Sequence, residues 1–269
     1  MSRRSRRKKG NQNISSWIMI IVVILLGATL FYFYSKAASE QIDIDQTSNC
    51  RTDGSAPRDT VILLDATQTL TESHLEALRN IVTQYIDESV MYERFTVYVL
   101  EDQPDRYKPQ FSVCNPGDGA GVSAISGNPA KIYRNWSTSF RQPIIDIVNS
   151  LDSDLSANSS PVMEMLKFVG LRSISRETSS EKRILLVSDM VENTKAYSQY
   201  SQTNLNYSDW KDTPHFRQTR SRLDGVDVNI IYVERPSLSS IQGKDHIEKF
   251  WSPLIDEAGG LLKSVKTIN

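Results

Sequence analysis

Histidine and cysteine are scarce in this chain, at three and two of 269 residues. His74, His215 and His246 are scattered without metal-ligand spacing, and none is paired with a nucleophile. That excludes a histidine–cysteine zinc centre and a histidine-based triad as readings. Cys50 and Cys114 are compatible with one disulfide or with two separate thiols, since connectivity is not written in sequence. No internal repeat is visible. Acidic residues are absent from residues 1–36, which hold seven basic ones. Residues 37–269 therefore carry 24 basic against 32 acidic residues, a net charge of −8. An acidic body of this kind suits cations and not nucleic acid.

One long apolar run exists. Trp17 to Tyr34 contains 18 uncharged residues after the basic cluster Arg3, Arg4, Arg6, Arg7, Lys8 and Lys9. As a helix it spans roughly 27 Å, close to the hydrocarbon thickness of a bilayer. Trp17, Tyr32 and Tyr34 lie near its ends, where amphipathic rings favour the headgroup region. The expectation is a single-pass membrane protein with residues 1–16 as a basic cytoplasmic tail and residues 17–34 as the transmembrane helix. Its body would be periplasmic or extracellular. Ser35-Lys36-Ala37 also resembles a signal-peptide cleavage site, but the apolar run exceeds the usual signal core of about 7–15 residues.

Residues 35–58 read as a polar stalk. From Asp59 onward strands and helices alternate, which predicts one α/β domain over residues 59–269, an open, mostly parallel sheet with helices on both faces. Strands are expected at Thr60–Asp65, Phe95–Glu101, Gln110–Cys114, Arg183–Asp189, Val226–Val233 and Leu261–Val265, with Gln110–Cys114 forming a hairpin with its predecessor. Helices are expected at about Thr71–Val90, at Pro129–Leu151 interrupted near Pro143, from Pro161, and at Asp245–Ala258. The glycine-rich turn Asn115–Gly121 lacks the Lys-Ser/Thr of a phosphate loop and its strand–loop–helix setting. Three sequons, at Asn135, Asn158 and Asn206, are read as chance matches.

The chemistry gathers at strand ends. Val61-Ile62-Leu63-Leu64 ends in Asp65, with Thr67 and Thr69 following at alternate positions. Ile184-Leu185-Leu186-Val187 likewise runs through Ser188 into Asp189. If these strands are parallel neighbours, both carboxylates emerge at the edge where open α/β sheets bind ligands. A loop ending at Ser160 returns to the same edge. Asp65, Thr67, Thr69, Ser160 and Asp189 would then offer two carboxylates and three hydroxyls, a donor set suited to a hard cation. Taken singly, each residue reads as a cap or turn residue.

These segments resemble the von Willebrand factor A family and its metal-ion-dependent adhesion site. Asp65-Ala66-Thr67-Gln68-Thr69 is similar to the family's Asp-x-Ser-x-Ser loop. Ser159-Ser160-Pro161-Val162 with Met165-Leu166 is similar to its threonine loop, and Val187-Ser188-Asp189-Met190 to its Thr-Asp-Gly loop. Ile230-Ile231-Tyr232-Val233 and Ala258-Gly259-Gly260 resemble its closing strand and turn. Ser160 replaces Thr, Met190 replaces Gly, and no terminal helix precedes Asn269, so a helix-displacement switch is not expected. The resemblance implies Mg²⁺ or Mn²⁺ held by Thr67, Thr69 and Ser160, with Asp65 and Asp189 close by. One position would stay open for an Asp or Glu of a protein partner. Tyr197, Tyr200, Tyr207 and Trp210, in the polar segment Glu192–Leu223, are expected to form a rim for that partner.

Leu64-Asp65-Ala66-Thr67-Gln68-Thr69-Leu70 also looks like the first motif of haloacid-dehalogenase phosphatases, which would make Asp65 a nucleophile. Thr67 stands where that motif has its second Asp, and Val233-Glu234-Arg235 is a poor match to the paired acids expected later. A structural domain without metal is the remaining alternative. The sequence favours a binding module over an enzyme.

Overall fold

The computed structural model describes residues 12–39, 42–67, 69–100, 107–125, 127–151, 159–174, 179–202 and 205–269. The basic cluster, Gln68, the Pro104 loop and most of the Ser/Asp/Asn-rich loop lie outside them. The chain divides into two compact units, residues 1–43 and 44–269. In the first, α1 (Gln12–Ser39) contains Trp17–Lys36, 20 residues with a mean hydropathy of 2.4. This helix is long and apolar enough to cross a membrane, a test that a signal sequence also passes.

The second unit begins at Ile44, not at Asp59 as the polar composition suggests. Ile44 bridges to Arg51, and the backbone N–H of Cys114 donates to the carbonyl of Ser48 at 2.8 Å. Cys50 and Cys114 are joined in a disulfide with a Cα–Cα separation of 4.9 Å. Within the expected stalk, the segment from Ile44 to Arg51 is thus tied to Cys114 by a backbone bond and a disulfide.

Beyond this strap come β1 (Ala56–Asp65), α2 (Glu72–Asp87), β2 (Arg94–Leu100) and β3 (Phe111–Cys114). Next are α3 (Pro129–Trp136), α4 (Gln142–Asn149), α5 (Val162–Val169) and β4 (Ser179–Ser188). The chain continues through α6 (Tyr207–Lys211), α7 (Pro214–Thr219), β5 (Val226–Val233), α8 (Lys244–His246), α9 (Ser252–Glu257) and β6 (Leu261–Ile268). Pro143 does not break its helix. A π-type turn, Ser137–Arg141, joins α3 to α4, and Pro143 sits in the first turn of α4, where a missing N–H costs little.

Among the described residues the strands form one sheet in the order β3-β2-β1-β4-β5-β6. Only the β2–β3 pair is antiparallel. β1 is buried over nearly its whole length, which explains its continuous apolar run. Its alternating side chains feed two cores. Val61 and Leu63 pack with residues of α5, α6 and α9, whereas Ile62 and Leu64 pack with residues of α2, α3 and α4. Burying one such side chain contributes roughly 1.5–3 kcal/mol, so this strand anchors both layers. α2 starts at a reciprocal cap in which the N–H of His74 donates to Thr71 Oγ1, and the N–H of Thr71 donates to His74 Nδ1. At Gly259 the backbone has φ +83°, and a Cβ would stand 2.6 Å from Asp224 Oδ1, so the turn into β6 admits no side chain.

Candidate functional site at the carboxyl edge of the sheet

β1 and β4 are parallel neighbours with Leu64 opposite Val187, so Asp65, Ser188 and Asp189 leave the sheet side by side. From this point β2 and β3 extend one way and β5 and β6 the other. That is the switch point at which open α/β sheets take ligands.

Asp65 is 5% exposed and is the hub of the cluster. Its Oδ1 accepts from the backbone N–H of Thr67 at 3.0 Å and from Thr67 Oγ1 at 2.6 Å. Its Oδ2 accepts from Ser188 Oγ at 2.6 Å and from Ser160 Oγ at 3.3 Å. Ser160 arrives from 95 residues away because its backbone pairs with Asn193, through N–H to carbonyl bonds of 2.7 and 3.0 Å. Pro161 then caps α5, so Ser160 is fixed at a helix entrance.

Asp189 is 2% exposed. Its Oδ1 accepts from the N–H of Val191 at 2.9 Å. Its Oδ2 is buried without a hydrogen-bond partner and lies 3.6 Å from Arg235 Nε, which also makes no hydrogen bond. Burial, and after it the charge of Asp65, pushes the Asp189 carboxyl up to about 7, against the pull of the Val191 N–H and Arg235. Two buried carboxylates are held together here with one oxygen that accepts no hydrogen bond and is only partly balanced by Arg235 at 3.6 Å, which is costly unless a proton or a further cation joins them.

Thr69 stands apart. It is exposed, its carbonyl accepts from Arg235 Nη2 at 3.4 Å, and none of the Asp65 hydrogen bonds among the described residues comes from it. Three other residues join the site without having been singled out. Ser188 donates to Asp65 and accepts from the N–H of Met190 at 2.8 Å. Gln242 Nε2 donates to the carbonyls of Asp189 and Val233 at 3.0 and 2.8 Å, tying the ends of β4 and β5 together. Its Oε1 accepts from the N–H of Arg235 at 2.7 Å, which orients that arginine. Beside Arg235 lies a cavity of about 680 Å³, lined in part by Thr69, Thr71, His74, Ser237 and Gln242.

Met190 adopts φ +60°, a left-handed conformation that costs a side chain roughly 1–2 kcal/mol. That is the physical reason for a glycine at such a turn. Met190 is fully buried in the core, and this burial offsets the strain.

The expected aromatic rim is corrected by burial. Tyr207 and Trp210 are 8% and 3% exposed and belong to the core beneath α6 and α7. Tyr197 is partly buried, stacked on His215 with ring centroids 5.3 Å apart. Of the four, Tyr200 alone is exposed, at 47%. The segment folds inward because its aromatics find one another and because buried Glu192 pins it. Glu192 Oε2 accepts from the N–H of Met163 at 2.9 Å, and Oε1 lies 3.4 Å from His215 Nε2.

Among the described residues no three His, Cys, Asp or Glu side chains cluster, so a site of charged ligands alone is not formed. The oxygens present are two carboxylates and the hydroxyls of Thr67, Ser160 and Ser188, with Asp189 Oδ2 accepting no hydrogen bond. An all-oxygen set with limited charge fits Mg²⁺ or Mn²⁺.

No family model matches the chain, and no curated protein sequence does. Similar solved structures include proximal thread matrix protein 1 from the mussel byssus with a zinc-occupied MIDAS motif. That likeness has 14% identity and a TM-score of 0.41, covering 79% of this chain and 42% of that one. Von Willebrand factor type A from Catenulispora acidiphila has 12% identity and a TM-score of 0.39, covering 82% and 40%. BatB from Bacteroides thetaiotaomicron has 12% identity and a TM-score of 0.39, covering 78% and 90%. The chain spans about two-fifths of the length of the first two. At such scores the architecture is read from the chain's own strand order and register.

Proposed function

We propose that this chain is a membrane-anchored protein-binding module whose site holds Mg²⁺ or Mn²⁺ and captures an Asp or Glu of a partner protein. The observation that carries it is the Asp65–Asp189 pair, buried together with Asp189 Oδ2 unmatched by any donor. Thr67, Ser160, Asp65 and Asp189 would hold the ion, with Thr69 joining from its exposed loop. When bound, the ion supplies an electrophilic centre to which an incoming carboxylate can bind. The chain's own contribution is to fix the donors. Thr67 and Ser188 orient Asp65, the Asn193 bridge fixes Ser160, and Gln242 fixes Asp189.

Binding is favoured over phosphoryl chemistry because both oxygens of Asp65 already accept hydrogen bonds from buried donors. A nucleophilic carboxylate would need one of them facing a substrate. The α1 helix serves as the anchor in this reading, with the folded unit on the exported side. The Cys50–Cys114 disulfide suits the oxidising compartment found there. Peptide arrays carrying Asp or Glu, probed with the detergent-solubilised chain, test the proposal. Binding that requires Mn²⁺, disappears with EDTA and fails on the Asn or Gln peptides is expected. Metal-independent binding, or equal binding to the amide peptides, would overturn it.

A further inference from the structure

Arg235 is a charged group beside the carboxylate pair to which the proposed function gives no role. It follows β5 and is held at three points. Its backbone N–H donates to Gln242 Oε1 at 2.7 Å, Nη2 donates to the carbonyl of Thr69 at 3.4 Å, and Nε faces Asp189 Oδ2 at 3.6 Å. The side chain is 20% exposed, whereas that of Asp189 is fully buried. Neither facing atom makes a hydrogen bond, so the pair is an ion pair at 3.6 Å without hydrogen-bond contact. Gln242 fixes the Arg235 backbone and the Thr69 carbonyl holds its guanidinium, which faces the one Asp65 or Asp189 carboxylate oxygen that, among the described residues, accepts no hydrogen bond.

We propose that Arg235 is the residue that sets the cation affinity of this site: its guanidinium is a built-in counter-charge for Asp189 with which a divalent ion must compete. The inference rests on the metal-binding reading above. A guanidinium partly neutralises Asp189 when no ion is bound, and it repels any cation brought to the same oxygen. Its partial exposure and flexible side chain allow it to turn outward toward the neighbouring cavity as the ion enters. The site is then stable in both conditions and binds metal weakly enough for changes in ion concentration to matter.

The test is calorimetric titration of the full chain in detergent with MnCl₂, using wild type, Arg235→Gln and Arg235→Lys, with melting temperatures recorded in EDTA. The Gln variant is expected to bind Mn²⁺ roughly tenfold tighter, a modest coupling for like charges a few ångströms apart at a protein surface. It should also melt lower than wild type in EDTA and recover when Mn²⁺ is added. The Lys variant, which keeps the charge, should bind about as weakly as wild type. Binding by Arg235→Gln alone, with none by wild type, overturns the metal-binding reading and with it the role of Arg235 as a modulator of affinity. Equal or weaker binding by Arg235→Gln overturns the role of Arg235 and leaves the metal site standing. No binding by any of the three overturns both.

Discussion

Ser188 Oγ lies 2.6 Å from Asp65 Oδ2, joining residues 123 positions apart on adjacent parallel strands. The same oxygen accepts from the N–H of Met190, so one hydroxyl ties the Asp65 carboxylate to the strained turn that presents Asp189. Ser188→Ala removes a charge-assisted hydrogen bond and leaves the Met190 N–H buried without its acceptor. The expected cost is about 2–3 kcal/mol in urea unfolding. Loss of less than about 0.5 kcal/mol would show that the turn holds without it.

Ser188 is visible in the sequence as part of the Val187–Met190 loop, but its role as a donor to Asp65 is not. A serine between an apolar run and an acid reads as an ordinary strand end, and only the pairing of β1 with β4 turns it toward Asp65. The strands themselves were legible, because buried parallel strands must be continuously apolar, and the expected span of β5 matches the observed one. The convergence of Asp65, Thr67, Ser160 and Asp189 followed from that topology. Arg235 and Gln242 did not, since a loop after β5 carries no periodicity that aims its side chains. Trp210 and Tyr207 were misplaced because the polar residues around them masked an aromatic cluster. The contact of Tyr207 with Trp210, and those of Trp210 with Phe216 and Phe250, become visible only in three dimensions.

The strap before β1 yields a second prediction. The Cys50–Cys114 bridge closes a loop with a sequence separation of 64. On chain entropy a loop of that size is worth about 4 kcal/mol. Replacing both cysteines by serine should lower the urea midpoint accordingly, and dithiothreitol should do the same to wild type. A soluble fragment must therefore begin before Cys50. One starting at residue 51 is expected to be less stable than one starting at residue 44 under oxidising conditions.

His246 predicts a pH dependence. Burial lowers its pKa to about 4 from the ordinary 6.5, and it is packed among Tyr232, Gln199 and Trp251. The unfolded chain takes up this proton at higher pH than the folded one. Stability from this group is therefore complete above about pH 6.5 and declines as pH falls toward about 4, by an amount on the order of 2–3 kcal/mol. Thermal unfolding across that window measures it. His246→Gln should flatten the slope, and an unchanged slope would place the acid sensitivity elsewhere.

Addition of Mg²⁺ or Mn²⁺ to the full chain should raise its melting temperature. At a hundredfold excess over Kd the expected stabilisation is about 2.7 kcal/mol. Asp189→Asn should melt near or above wild type in EDTA, because one buried charge is gone, and should gain nothing from metal. A metal-induced shift that survives in this variant would place the ion elsewhere.

Electron paramagnetic resonance of Mn²⁺ added to the full chain reports bound ion most directly. One bound Mn²⁺ per chain is expected in wild type and none in Asp65→Ala or Asp189→Ala. Absence of bound Mn²⁺ in wild type, or its retention in both variants, would contradict it.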